Sequence, residues 1–328
     1  MAVLSLPSPL CRALEAALGA SVVAAQPVSG GDINEARRVD LADGRRVFLK
    51  FRADADPAMF EAEASGLAWL SEPGALRVPR TIAVGGPAPS GGRVPGSSRP
   101  AGRVRDETPA ADPAPQETPI LSSPVPFLAL EWLEPGRSGP DFDARLGEGL
   151  ARLHRAGAPG FGWSEPNFLA TLPQDNRPER DWPTFYARRR LAPLLRRAEE
   201  AGLAPPDWSS AFERLTARLP DLAGPPEPPA RLHGDLWSGN VHRDSRGAPC
   251  LIDPAVYGGH REVDLAMLAL FGSPSPAFFA AYERVWPLSI GWRERLPLWQ
   301  LYPLLAHVCL FGAGYVGAVD GRLRGLIA

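Results

Sequence analysis

The segment from His233 to Asp253 constrains this chain more than any other. His233-Gly234-Asp235-Leu236-Trp237-Ser238-Gly239-Asn240 sets an Asp and an Asn five positions apart, the spacing of phosphoryl-transfer catalytic loops. The residues after Asn240 read as a hairpin, with a strand at Val241-His242, a turn from Asp244 to Gly247 and a strand from Pro249 to Asp253. Symmetry about the bond between Arg246 and Gly247 predicts that Asn240 faces Asp253 at the open end, with Asp235 one turn of loop away. A carboxylate to take a hydroxyl proton, beside amide and carboxylate oxygens that suit Mg2+, is what phosphoryl transfer needs. Taken singly, the three residues also read as a loop cap, a turn residue and a strand-end acid.

A second pair changes that balance. Of 35 basic residues, Lys50 is the one lysine. Arginine-rich codon usage explains the rest but not the exception, which points to a role for a compact point charge in place of a planar fork. Lys50 falls on the third strand of a predicted meander: 21 to 28, 36 to 41 closed by the turn Asp43-Gly44, and 46 to 52. Asp56-Pro57 then opens a helix to about Ser71, with Phe60, Glu63, Leu67 and Leu70 on one stripe and Glu61 pointing away. An inward glutamate needs an internal cation, so Glu63 and Lys50 match the helix acid and strand lysine of kinases. Gly30-Gly31, in the first turn, either lets backbone amides approach phosphates or simply closes the turn. Walker A and G-x-G-x-x-G patterns are missing from the sequence, which argues against P-loop and dinucleotide readings.

The formal charge of -2 excludes a basic nucleic-acid binder, and 45% hydrophobic residues over 328 positions can build a two-lobed core. No apolar run approaches the roughly 18 residues of a membrane span and the start lacks a basic signal region, so no membrane partner and a cytoplasmic location are expected. Cys11, Cys250 and Cys309 are too few and too scattered for a disulfide framework or a zinc site. Residues 85 to 126 hold ten prolines, six glycines and no aromatic, and are expected to be a disordered insertion into a hairpin of strands 78 to 84 and Phe127 to Leu133. Helices then dominate, at 141 to 156, 182 to 202, 207 to 219, 262 to 271, 274 to 285 and 293 to 312, with one hairpin at 241 to 253. The expectation is an α+β, two-lobed fold: a sheet-rich N-lobe over 1 to 133, a helical C-lobe over 134 to 328, and a cleft between them.

His233 is read as orienting the catalytic loop, and His154 as a core histidine. Trp237 either stacks on a sugar face or packs in the core. His307 and Cys309, on the last predicted helix, are open between packing and a substrate-facing role.

The chain resembles the fructosamine kinase (ketosamine kinase) family, similar in turn to aminoglycoside and choline kinases of the protein-kinase-like fold. The matching motifs are Gly30 to Glu35, Val47 to Lys50, Phe60 to Ala64, His233 to Asn240, Leu251 to Ala255 and Tyr257 to Glu262. Pro173 to Asn176, Trp182, Phe185-Tyr186, Arg190-Leu191 and Phe311 to Tyr315 add to them. Trp237 favours this family over its aminoglycoside relatives. The resemblance implies ATP-dependent phosphorylation of the 3-hydroxyl of a ketosamine, free or protein-attached, leading to deglycation. It assigns Asp235 as base, Asn240 and Asp253 to Mg2+, and Gly30, Gly31, Ile33, Asn34, Lys50 and Glu63 to the nucleotide. The backbone of Glu131 to Leu133 would contact adenine, and Trp237 and His307 the acceptor. Asp32 stands where many relatives carry a cysteine, so a redox switch in that loop is not expected. Asp253-Pro254-Ala255, with no Ala-Pro-Glu segment after it, argues against a phosphorylated activation loop. Alternatives are an aminoglycoside- or amino-alcohol-type phosphotransferase and, in another class, a nucleotide-binding scaffold that recruits partners through the insertion. Oligomeric state is left open.

Overall fold

A computed structural model describes residues 6–28, 34–87, 120–272 and 274–328, with the backbone alone at Ile120. They form two compact units: 6–28, 34–60, 81–87 and 120–131 in the first, and 61–80, 132–272 and 274–328 in the second. The stretch 61–80, assigned from sequence to the N-lobe, groups with the helices.

In the first unit, α1 (Ser8–Leu18) buries Leu10, Leu14 and Leu18 at four-residue spacing and ends at Gly19, whose positive φ of 64° lets its N–H reach Glu15 O. Ser8 is the first helical residue, and Pro7 holds the cap position with no side-chain bond. Next in the chain come β1 (Val22–Pro27), β2 (Glu35–Leu41), β3 (Arg46–Phe51), α2 (Pro57–Ser71), β4 (Thr81–Gly86), β5 (Ile120–Ser122) and β6 (Phe127–Glu131). The strands make one sheet in the order β1-β2-β3-β6-β4-β5, antiparallel except for β4 against β5. Alternation along β3 sends Val47, Leu49 and Phe51 into a core with the α1 leucines, Val39 and Phe127. Lys50 has the opposite parity, flanked by Ala36 of β2 and Leu128 of β6, and is only 7% exposed.

The expected disordered insertion needs correction at its ends. Gly85 and Gly86 complete β4, Ile120 to Ser122 form β5, and Ser123 donates to Gly86 O while its hydroxyl donates to Val125 O. The apolar pair Ile120-Leu121 supplies an edge strand that a composition averaged over 42 positions concealed. Residues 88–119 lie outside those described.

The second unit holds the rest of α2 from Glu61, then α3 (Phe142–Arg155), β7 (Asn167–Leu169), β8 (Leu172–Gln174), α4 (Trp182–Phe185), α5 (Ala192–Glu200), α6 (Trp208–Leu222), β9 (Ala230–Leu232), β10 (Val241–Arg243), β11 (Pro249–Leu251), β12 (Tyr257–Gly259), α7 (Glu262–Leu270), α8 (Pro276–Val285), α9 (Trp292–Phe311) and α10 (Val316–Ile327). The single expected hairpin becomes three two-stranded pairs, β7-β8, β10-β11 and β9-β12; strands of three residues are too short to show alternation in sequence. The helix expected over 182 to 202 contains a π-helical turn at Tyr186–Leu191. That turn carries Arg190 into the interior, between the rings of Phe185 and Tyr257 at 4.6 and 3.9 Å. Pro303 cannot donate to the carbonyl one turn back, and the Tyr186 hydroxyl bonds Leu298 O at 2.8 Å and Trp299 O at 3.3 Å beside it. None of the described helices is long and apolar enough to cross a membrane.

Helices α3 and α8 meet at Gly147, where an added Cβ would fall 2.1 Å from Phe278 O. Gly147→Ala should therefore destabilise the protein by about 2 kcal/mol through overpacking, read as a lower midpoint in urea unfolding. An unchanged midpoint would show that the two helices separate freely.

Candidate active site

The loop bearing Asp235 is fixed from both ends. Pairing of β9 with β12 sets Leu232 opposite Tyr257, and Ala255 N–H donates to His233 O at 2.9 Å. Gly234 comes next at φ 81°, where a Cβ would lie 2.0 Å from Ala255 O, so both conformation and space require glycine.

The clamp on this loop is Asp264, on α7. One carboxylate oxygen accepts the His233 N–H at 2.8 Å and His154 Nε2 at 3.1 Å; the other accepts the Gly234 N–H at 3.0 Å. His154, from α3, accepts the Tyr282 hydroxyl of α8 on Nδ1 at 2.7 Å. Asp264 is 1% exposed. Burial pushes its pKa up, but the His154 hydrogen bond, the neighbouring imidazoles and the Gly234 N–H outweigh that, leaving it below the ordinary carboxylate value. The core histidine read at 154 is thus a ligand of this carboxylate. Asp264 itself was passed over, although the sequence left a signal: an acid set among Val263, Leu265, Ala266, Met267 and Leu268 on a helix must find donors if that helix is buried.

His233 locks the loop locally. Its Nε2 donates to Ile252 O at 2.9 Å and its Nδ1 accepts the Asp235 N–H at 3.3 Å. Burial lowers its pKa, which keeps the ring neutral and in that tautomer.

Asn240 closes a short 3-10 turn, Ser238–Asn240. Its Nδ2 donates to Asp235 O at 2.8 Å, to Asp235 Oδ2 at 3.0 Å and, more weakly, to Asp253 O at 3.4 Å. The predicted register is one residue out. Val241 pairs with Leu251 and Arg243 with Pro249, and the Ile252 N–H meets Asn240 O, so Ile252 faces Asn240 in place of Asp253. The cause is the turn: Ser245 to Gly247 form a three-residue loop with Gly247 at φ 71°, and Asp244 Oδ1 accepts the Arg246 and Ala248 N–H groups. Asp253 reaches Asn240 by another route. It adopts φ 55°, a left-handed conformation uncommon for a side-chain-bearing residue, which turns the chain out of the ladder beside the loop.

Asp235, Asn240 and Asp253 thus lie together in the second unit. With Asn240 Nδ2 engaged, its Oδ1 remains for a cation, and one amide oxygen with a nearby carboxylate suits Mg2+, which keeps most of its waters. Among the described residues no three His, Cys, Asp or Glu side chains form a group that could hold a metal ion.

Trp237 is 38% exposed, which removes the core alternative. Its ring covers Gly239, where a Cβ would fall 2.2 Å from it. The neighbouring Ser238 hydroxyl donates to Phe271 O at 2.8 Å, and the Phe271 ring stacks on His307 with centroids 4.5 Å apart. His307 also meets Tyr315 and Phe311, donates from Nδ1 to Pro303 O at 2.7 Å, and is kept neutral by burial, so Nε2 is an acceptor. Phe271 is a neighbour that the sequence reading missed.

The remaining assigned residues divide between the two units. Lys50, Asn34 and Glu131 belong to the first unit; Glu63, half-buried on α2, and Leu133 belong to the second. Glu61 is exposed, as expected. Asn34 Oδ1 is buried with no partner among the described residues. Gly30, Gly31 and Ile33 lie outside the described residues.

The fructosamine kinase family model matches residues 10–328. The chain is 38% identical to a probable ketoamine kinase of Enterococcus faecium, covering 91% of this chain and 93% of that one. It is 33% identical to mouse ketosamine-3-kinase, over 95% and 98% of the two chains. A crystal structure assigned to the fructosamine-3-kinases, from Thermobifida fusca, superposes with a TM-score of 0.78 at 37% identity, covering 97% and 98%. The chain belongs to the fructosamine kinase family and has its protein-kinase-like fold.

Asp264→Asn should lower unfolding free energy by about 3 kcal/mol at pH 7, because it breaks a buried, multiply bonded charge. The native pKa is depressed, so this stabilisation is present above the unfolded value near 3.9 and lost as pH falls through the lower native value. The gap between wild type and variant in urea melts should accordingly close below about pH 4; a constant gap down to pH 2 would contradict the assignment.

Proposed function

We propose that this chain transfers the γ-phosphoryl group of ATP to the 3-hydroxyl of a ketosamine, with Asp235 as the base. The observation that carries this reading is the Asp235 carboxylate held by Asn240 on a loop clamped to the core, in a chain of the fructosamine kinase family. Asp235 accepts the hydroxyl proton as the sugar oxygen bonds to phosphorus and the bond to the leaving ADP breaks. Asn240, by donating to Oδ2, aims the carboxylate. Asn240 and Asp253 would hold Mg2+, which when bound neutralises charge on the phosphates. Lys50 would pair with the α- and β-phosphates and be oriented by Glu63, while Gly30, Gly31, Ile33 and Asn34 would line the phosphates and the backbone of Glu131 to Leu133 the adenine.

Trp237 and His307 would bracket the acceptor, one presenting an exposed aromatic face and the other a neutral lone pair on Nε2. A neutral ring favours an acceptor that carries an ammonium, as ketosamines do. Phosphorylation at the 3-position destabilises the adduct and frees the amine, so the reaction repairs glycated amines. The cytoplasm is the proposed site of action.

Asp235→Asn should reduce kcat about a thousandfold while ATP affinity, from fluorescence titration, is retained; equal loss of both would remove the base assignment. Lys50→Arg should raise the KM for ATP and lower kcat, because a fork does not reproduce a point charge. Steady-state kinetics indistinguishable from wild type would contradict the role of Lys50.

A further inference from the structure

Among the described residues, Arg322 on α10 is a cation with no carboxylate in ion-pair range. Its guanidinium is partly buried; Nε donates to Gln300 Oε1 at 2.9 Å and Nη1 to Ala318 O at 3.1 Å. Among the described residues no carboxylate lies within ion-pair distance of it, whereas Arg324, two positions on, pairs with Asp320 at 2.9 Å. Burial pulls the Arg322 pKa down with no neighbouring acid to oppose it. Gln300 is itself 8% exposed and fixed by donation from Nε2 to Ala266 O at 3.1 Å, so its Oε1 is committed to holding the guanidinium in place. A partly desolvated charge, rigidly held and unmatched, is costly unless an anion arrives to complete it.

Its place in the fold suggests which anion. Helices α9 and α10 run antiparallel: Tyr315 lies against His307, and Arg322 against Gln300. Each interval is seven residues, roughly 10 Å of helix at 1.5 Å per residue. One end of this seam is the aromatic group of Phe271, His307 and Tyr315, joined to the catalytic loop through the Ser238 bond to Phe271. The other end is the unmatched guanidinium. An acceptor whose amine sits at His307 and whose carboxylate reaches Arg322 would run along this seam, as an extended lysine side chain with a hydrogen bond at each end can.

We propose that Arg322, positioned by Gln300, binds a carboxylate on the amine portion of the acceptor, so that the favoured substrate is the ε-adduct of a lysine whose α-carboxylate is free. This rests on ketosamine phosphorylation as the reaction, and on His307 as an acceptor contact. Two sources carry that chemistry, a glycated free lysine and a glycated lysine at a peptide C-terminus. Both should bind alike, and an internal glycated lysine more weakly.

The test is calorimetric titration of the full chain with Nε-fructosyl-lysine, its α-carboxamide, and peptides carrying fructosyl-lysine at the C-terminus or internally. Wild type should bind the carboxylate forms at least about tenfold more tightly than the carboxamide and internal forms, the effect of one charge-assisted hydrogen bond. Arg322→Gln should abolish the difference by weakening the carboxylate forms alone, and Arg322→Lys should retain part of it. A mere helix staple would lower the melting temperature of both variants and leave wild type indifferent to the carboxylate. Equal affinities in wild type overturn the proposal, as does discrimination that persists in Arg322→Gln. ATP turnover is monitored separately by ADP release; absence of turnover with preserved carboxylate discrimination would count against the kinase reading and not against this subsite.

Discussion

One buried carboxylate organises the loop that carries Asp235. Asp264 accepts two consecutive backbone N–H groups of the loop and the imidazole of His154, which is in turn bonded to Tyr282. A charge buried this deeply persists only where hydrogen bonds replace water, and here the donors come from the loop and from α3, with α8 behind them. The loop that carries Asp235 is therefore tied to the packing of α3, α7 and α8. Errors in that packing become errors in the placement of Asp235, the proposed base.

Around this anchor, two left-handed residues flank the proposed catalytic group. Gly234 is left-handed because the backbone of Ala255 occupies the space of a side chain, and Asp253 is left-handed where the hairpin ladder ends. Asn240 joins the two by bonding Asp235 and the Asp253 carbonyl. A second tie runs through α9, where the π turn brings Tyr186 to the carbonyls beside Pro303, and Pro303 O holds His307 by Nδ1. Each device replaces a lost backbone bond or a desolvated charge with a defined partner.

Long, periodic elements were legible in the sequence. The stripe of α2, the extent of α3, the meander of β1 to β3 and the long α9 fall within a residue or two of their expected bounds. The carboxylate and amide of the loop were also legible, since their spacing is local. Register was not: a symmetric guess placed two residues at the turn, where a glycine able to take positive φ allows a three-residue loop. Asp264 was missed because its meaning lies in donors 31 and 110 positions away. β5 was hidden by the composition around it, and α10 comes after Gly312-Ala313-Gly314, which reads as a stop. Lys50 was singled out by its rarity, its third-strand position and an inward Glu63, and its burial on the face of β3 opposite the α1 core is what its strand parity dictates.

The central claim is chemical: the base on this loop serves one hydroxyl of a ketosamine. The most direct measurement is the position of the phosphate on the product formed from ATP and fructosyl-lysine, by phosphorus–carbon coupling in NMR. Coupling to the third sugar carbon, with ADP formed in equal amount, is the predicted result. Phosphate on another carbon, or ADP released without a phosphorylated sugar, would contradict it.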